Sequence, residues 1–249
     1  MRILLINPNT TPDVTNLVAT HVSAIAGDEA AFVPVTGSFG ARYISSRAST
    51  AIAAHAALDA YAAHGQNPDQ PCDALFLACF GDPGLLALRE VADVPVVGMA
   101  EAACLEACGR GRRFAIVTGG ALWAPMLTEF VAAMGLADRL ATVRAIAPTG
   151  GEIAANPDAA LAQLAAACTA CASDDGADVV ILGGAALAGL AARIQPDVPV
   201  PVLCSVAAGT RAVIAAAQTR ISRRNLPPAL DSCGLSPQLS ALLRQTPAS

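Results

Sequence analysis

One cysteine in this chain stands where a thiol can carry protons. Cys79 closes the apolar run Asp73-Ala-Leu-Phe-Leu-Ala-Cys79, then Phe80-Gly81-Asp82-Pro83-Gly84 leads into Leu85-Leu-Ala-Leu-Arg-Glu90, which has helical spacing. Asp82 suits a helix cap and Pro83 a first helical position, so the thiol is expected at a strand end just before a helix amino terminus. There the helix dipole and free amides draw a thiol pKa down from about 8.5 toward neutrality. A buried strand cysteine is the ordinary alternative; a place at a strand end before a Gly-rich turn favours the chemical reading. Of the other cysteines, Cys168 and Cys171 form a C-x-x-C inside an Ala-rich helix and Cys104 and Cys108 lie one turn apart on another, so these four read as packing. Cys204, after Pro201-Val-Leu, is the one alternative thiol, and Cys72 and Cys233 read as structural or exposed.

Around such a thiol a substrate needs hydrogen-bond donors. Asn7, Asn9, Thr10 and Thr11 in NPNTT leave the first strand for a helix, and their amides and hydroxyls suit a carboxylate or a planar imide oxygen, although a capping loop needs some of them too. Thr118-Gly119-Gly120 offers the same kind of donor at mid-chain. Histidines 21, 55 and 64 fall in helical segments, away from strand ends, and neither H-E-x-x-H nor a G-x-G-x-x-G after a strand occurs. All fifteen basic residues are arginine, which removes Schiff-base, PLP and lysine P-loop chemistry. The expectation is an enzyme without cofactor or metal.

The remaining composition bounds the setting. With 249 residues, 54% hydrophobic and 14% charged, the chain folds. A net charge of −5, with basic clusters no longer than RGRR and RISRR, argues against nucleic acid and for a small-molecule partner. The charge-free stretches Phe114 to Thr128, Ala159 to Ser173 and Val179 to Ala192 are shorter than the roughly 20 residues of a spanning helix. The start, MRILLINPNTT, lacks a signal-peptide core, so a cytoplasmic protein without disulfides or membrane partner is expected.

Short apolar runs alternate with Ala-rich helical stretches, the pattern of parallel α/β units. Strands are predicted at Ile3–Ile6, Ala31–Val35, Ala74–Ala78, Val94–Val97, Phe114–Val117, Thr142–Ile146, Val179–Leu182 and Val200–Leu203, with the clearest helices at 49–64 and 157–172. The Pro- and Ser-containing tail from Pro227 is expected to be the least ordered part. Arg2-Ile-Leu-Leu-Ile-Asn7, Asp73-Ala-Leu-Phe-Leu and Val94-Pro-Val-Val97 recur in order as Arg113-Phe-Ala-Ile-Val-Thr118, Asp178-Val-Val-Ile-Leu and Val200-Pro-Val-Leu203, at nearly the same spacing. This predicts two homologous α/β halves, each a parallel sheet flanked by helices, related by a pseudo-two-fold. The boundaries are expected at 1–98 plus 208–249 for the first and 99–207 for the second. Parallel sheets bind ligands beyond their strand carboxyl ends, which places Asn7 opposite Thr118 and Cys79 opposite Gly184 across one cleft.

INPNTT, ACFGDPGL around Cys79, VPVVGMAEAA, FAIVTGG and DVVILGGAALAGLA together resemble the aspartate/glutamate/hydantoin racemase superfamily, and most of all its hydantoin and allantoin branch, over about residues 1 to 215. The resemblance implies two pseudo-symmetric Rossmann-like domains, no cofactor, homo-oligomers, and two thiols on opposite substrate faces. Cys79 matches the first thiol; Asn7, Asn9, Thr10, Thr118 and Gly119 match the substrate cradle. The second thiol falls on Gly184, in LGGAALAG, where this chain departs from the pattern. Three functions follow: a racemase or epimerase acting at an acidic α-carbon, with Cys204, water or another group on the second face; a single-thiol lyase or isomerase like the superfamily's decarboxylases; or a non-catalytic binder. Arg42 and Arg47 are the only candidate anion contacts for a free amino acid substrate, and both read first as exposed arginines on a helix face.

Overall fold

The computed structural model describes residues 1–65, 70–147, 149–219, 229 and 231–244. The first half runs β1 (Arg2–Asn7), α1 (Pro12–Ala26), β2 (Ala31–Thr36), α2 (Arg47–His64), β3 (Ala74–Leu77), α3 (Leu85–Val91), β4 (Val96–Gly98) and α4 (Met99–Arg110). The second continues with β5 (Phe114–Gly119), α5 (Trp123–Ala133), β6 (Leu140–Ile146), α6 (Gly150–Ala155), α7 (Pro157–Ser173), β7 (Val179–Leu182), α8 (Leu190–Ile194), β8 (Val202–Cys204) and α9 (Ser205–Thr219), with α10 (Pro237–Leu243) in the tail.

The strands form two four-stranded parallel sheets in the orders β2-β1-β3-β4 and β6-β5-β7-β8. All eight predicted strands are present; β4 starts only at Val96, where the ring nitrogen of Pro95 cannot donate to the ladder while its carbonyl accepts from Leu75 N–H at 2.9 Å. Both sheets are covered on both faces, so their strands read as continuous apolar runs. Alternate residues divide the core: Ile3, Leu5 and Phe76 share a central layer with Phe114, Ile116 and Ile181 and with helices α1, α4 and α9. Leu4, Ile6, Leu75 and Leu77 face α2, α3 and α10, and Val117, Val180 and Leu182 face α7 and α8.

The repeat in sequence is a repeat in hydrogen bonding. Arg2 N–H donates to the Asp73 carboxylate at 2.8 Å, and Arg113 N–H donates to Asp178 at 2.8 Å; in return Asp73 and Asp178 N–H donate to the Arg2 and Arg113 carbonyls at 2.8 and 2.9 Å. Past the third strand of each sheet, Ala78 N–H reaches Ile6 O and Gly183 N–H reaches Val117 O, at 2.8 and 2.9 Å. The carbonyls of Cys79 and Gly184 then accept from the amides three residues on, Asp82 and Leu187, at 3.1 and 3.0 Å. Gly84 and Gly189, at φ +82° and +81°, begin α3 and α8. Positions 79 and 184 are therefore structural counterparts.

One sequence expectation needs correction. Helix α2 starts at Arg47, because Ser46 caps it and Ser49 closes a reciprocal capping box two residues inside. Within the tail, α10, capped by Ser236, buries Leu239 and Leu242 against the first sheet's outer layer, each worth about 1.5–3 kcal/mol as an upper estimate. Residues 227–228, 230 and 245–249 lie outside the described residues. Among the described residues no helix is long and apolar enough to cross a membrane.

Candidate active site

The carboxyl ends of the two sheets meet at one cavity, lined on one side by Asn9, Tyr43 and Cys79 and on the other by Thr118, Trp123 and Gly184. Cys79 is 8% exposed there. Asn9 is 6% exposed; its carbonyl oxygen accepts from Asn7 Nδ2 at 2.9 Å and Thr11 N–H at 2.8 Å. Its backbone N–H donates to Asn7 Oδ1 at 3.2 Å, and its side-chain N–H groups have no protein partner among the described residues. Thr118, 5% exposed, likewise has no protein partner for its hydroxyl among the described residues. Gly119, Gly183, Ala185 and Ala186 add backbone, and among the described residues no charged side chain lines the cavity.

Not every predicted site residue reaches it. Asn7 is fully buried behind the site, its amide donating to Asn9 Oδ1 and Thr15 Oγ1, both at 2.9 Å, so it positions the NPNTT loop. Thr10 is held by its N–H to the Ala41 carbonyl at 3.1 Å and does not line the cavity. Cys204 is likewise absent from the lining: it ends β8 and packs between the central and outer layers. Arg42 is exposed, and the guanidinium of Arg47 pairs with Glu129 at the surface. Cys104, Cys168 and Cys171 are core packing as expected, and burial pushes the thiols of Cys168 and Cys171 up to about 12 and about 11.

The turn after Cys79 differs from the expected helix start. Helix α3 begins only at Leu85, with Gly84 as its cap, so neither Asp82 nor Pro83 plays the predicted part. Asp82 instead sits at φ +48° and turns its carboxylate onto the start of α4, accepting from Ala100 N–H at 2.9 Å and Glu101 N–H at 2.8 Å. Gly98 is required there, since a Cβ would strike that carboxylate. The helix start that Asp82 meets is thus that of α4, not that of the helix expected to acidify Cys79. Burial first, and the Asp82 charge second, push the Cys79 thiol well above its ordinary value.

Burial also raises the Asp82 carboxyl to about 7, against the Ala100 and Glu101 amides and Arg89, which pull it down. Because the folded pKa lies above the unfolded one, the folded state holds this proton more tightly. Its stabilising contribution is present below the ordinary carboxylate range and is lost as pH rises to about 7. Denaturant midpoints of wild type and Asp82→Asn at pH 5 and pH 7.5 test this: the wild type loses more stability over that interval than the variant. Equal losses would remove Asp82 as the titrating group.

Aromatic residues were missed by the sequence reading. They make up 4% of the chain, yet the only tryptophan and one of two tyrosines line this cavity. Tyr43 reaches from the loop before α2 to the second half, where its hydroxyl accepts Gly150 N–H at 2.8 Å and donates toward the Gly119 carbonyl at 3.5 Å. The Phe80 ring lies on Gly183, and the Trp123 ring lies 2.7 Å from where a Cβ on Gly81 would stand. Each half thus inserts a ring against a glycine of the other. A scarce aromatic in a glycine-bounded loop, as at Tyr43, was the available sign.

Comparison with known proteins agrees with this arrangement. The profile of the Asp/Glu/Hydantoin racemase family matches residues 3–213. A hydantoin racemase of Paenarthrobacter aurescens is 35% identical over 214 residues, 85% of this chain and 89% of that protein. Among solved structures, the allantoin racemase of Pseudomonas fluorescens has a TM-score of 0.84 at 32% identity, covering 89% of this chain and 93% of its own. The allantoin racemase of Klebsiella pneumoniae has a TM-score of 0.85 at 30% identity, covering 97% and 98%. The chain belongs to the Asp/Glu/hydantoin racemase family and is an isomerase of the racemase class.

Proposed function

We propose that this chain racemises or epimerises a neutral cyclic carbon acid of the hydantoin type without a cofactor, with Cys79 as the proton carrier on one face. The observation that carries this reading is the company Cys79 keeps: the side-chain N–H groups of Asn9 and the hydroxyl of Thr118 have no protein partner among the described residues, and none of the described residues lining the cavity is charged. A thiolate at Cys79 takes the α-proton. The charge then moves onto the ring carbonyl oxygen, which Asn9 N–H groups can stabilise as it develops. Apolar walls from Val14, Ile44, Trp123 and Leu187 suit a carbon substituent and strengthen those hydrogen bonds by excluding water. The relatives named hydantoin and allantoin racemases support the same substrate class.

Gly184 favours a second reading, because a site with a thiol on one face only can also serve a lyase that protonates one face. Proton NMR in D2O with single enantiomers of 5-substituted hydantoins and of allantoin, read beside optical rotation, separates the two. Deuterium wash-in with loss of rotation is expected. Wash-in with rotation retained would replace the racemase reading with one-faced proton transfer, and no wash-in from either class would remove both substrates.

A further inference from the structure

Inversion requires a proton on the face opposite Cys79, and the counterpart position carries no side chain. Gly184 lies at φ +143°, a conformation that only glycine holds without strain, so the opening there is a property of the backbone. A Cβ at this point would stand 3.5 Å from the Leu187 side chain and 4.0 Å from Thr118 Oγ1, both ordinary contacts. The space beside Gly184 is thus bounded by the hydroxyl of Thr118, a residue 5% exposed whose hydroxyl has no protein partner among the described residues. Other hydroxyls nearby are engaged: Tyr43 with Gly150 and Gly119, and Ser205 with the Gly184 N–H at 3.2 Å. Cys204 does not line the cavity.

Building on the racemase reading, we propose that a water molecule held by the Thr118 hydroxyl in the opening beside Gly184 is the acid on the second face. Thr118 is its positioning residue. A water that accepts the Thr118 O–H keeps both of its own protons and is polarised toward donating one. Cys79 thiolate takes the α-proton and becomes a thiol; the carbanion takes a proton from the water on the other face, forming the new C–H bond and leaving hydroxide. The hydroxide recovers the proton from Cys79 through solvent, so thiolate and water are regenerated and charge balances. In the reverse direction the same hydroxide removes the proton and Cys79 returns one.

The test is the ratio of inversion to deuterium wash-in, measured in D2O with one hydantoin enantiomer for wild type, Thr118→Val and Thr118→Ser. A residue that only binds substrate moves both rates together; the holder of the second-face acid moves their ratio. The expected result is a fall of tenfold or more in the ratio for Thr118→Val, with Thr118→Ser within about threefold of wild type. A ratio unchanged in Thr118→Val, whatever happens to the separate rates, overturns the proposal while leaving the racemase reading in place. Wash-in without inversion in the wild type also overturns it and points to the one-faced lyase. Absence of both in the wild type overturns the racemase reading itself, and this proposal with it.

Discussion

The Cys79→Ser protein is expected to fold and to lose α-proton exchange by about a thousandfold or more, within the range a positioned acid/base group supplies. Serine keeps the shape and burial of the side chain, so thermal unfolding followed by circular dichroism stays close to wild type. What it loses is an ionisable group: an alcohol releases its proton far less readily than a thiol. The wild-type pH profile carries a second mark of the same residue. Burial and the Asp82 charge hold the Cys79 pKa well above its ordinary value, so at neutral pH only a small fraction is thiolate. That fraction grows tenfold per pH unit below the pKa, and kcat/KM with a hydantoin therefore climbs from pH 7 to pH 9. Exchange in Cys79→Ser within tenfold of wild type would remove Cys79 from the reaction. A plateau below pH 8 would assign the base to a group of lower pKa.

Hydantoins are expected to react at least a thousandfold faster than aspartate or glutamate, measured as kcat/KM at one pH. A free amino acid brings a carboxylate and an ammonium into a cavity that no charged side chain lines among the described residues. Leaving a carboxylate buried and unpaired costs several kcal/mol, and about 4 kcal/mol already corresponds to a thousandfold. The two arginines that could have met it are elsewhere: Arg42 is exposed, and Arg47 is engaged by Glu129 at the surface. A hydantoin ring is neutral and offers carbonyls and N–H groups that match Asn9, Thr118 and the backbone. Turnover of aspartate or glutamate within tenfold of the hydantoins would show that a cation enters the site from outside the described lining.

Local chemistry made the frame of this protein legible in its sequence. Parallel strands buried on both faces must be runs of apolar residues, so Leu4 to Ile6, Leu75 to Leu77 and Val179 to Leu182 announce themselves, and a duplicated half repeats its Arg2–Asp73 tie as Arg113–Asp178. The strand-end positions of Cys79 and Thr118, and the glycine at 184, follow from the same pattern. Which groups face the substrate did not, because orientation depends on partners distant in the chain. Asn7 and Asn9 are two residues apart, yet one is turned into the NPNTT loop and the other toward the cavity. Asp82 looks like the cap of the helix that follows it, but the turn places its carboxylate on α4, begun seventeen residues later, and burial first, with the Asp82 charge second, raises rather than lowers the Cys79 pKa. Tyr43, in a loop without periodicity, acquires its place only when the second half presents Gly150 to its hydroxyl. Periodicity along the chain determined the layers and the strand ends; contact between elements distant in the chain decided the electrostatics and the walls of the site, since both arise from groups that only folding brings together.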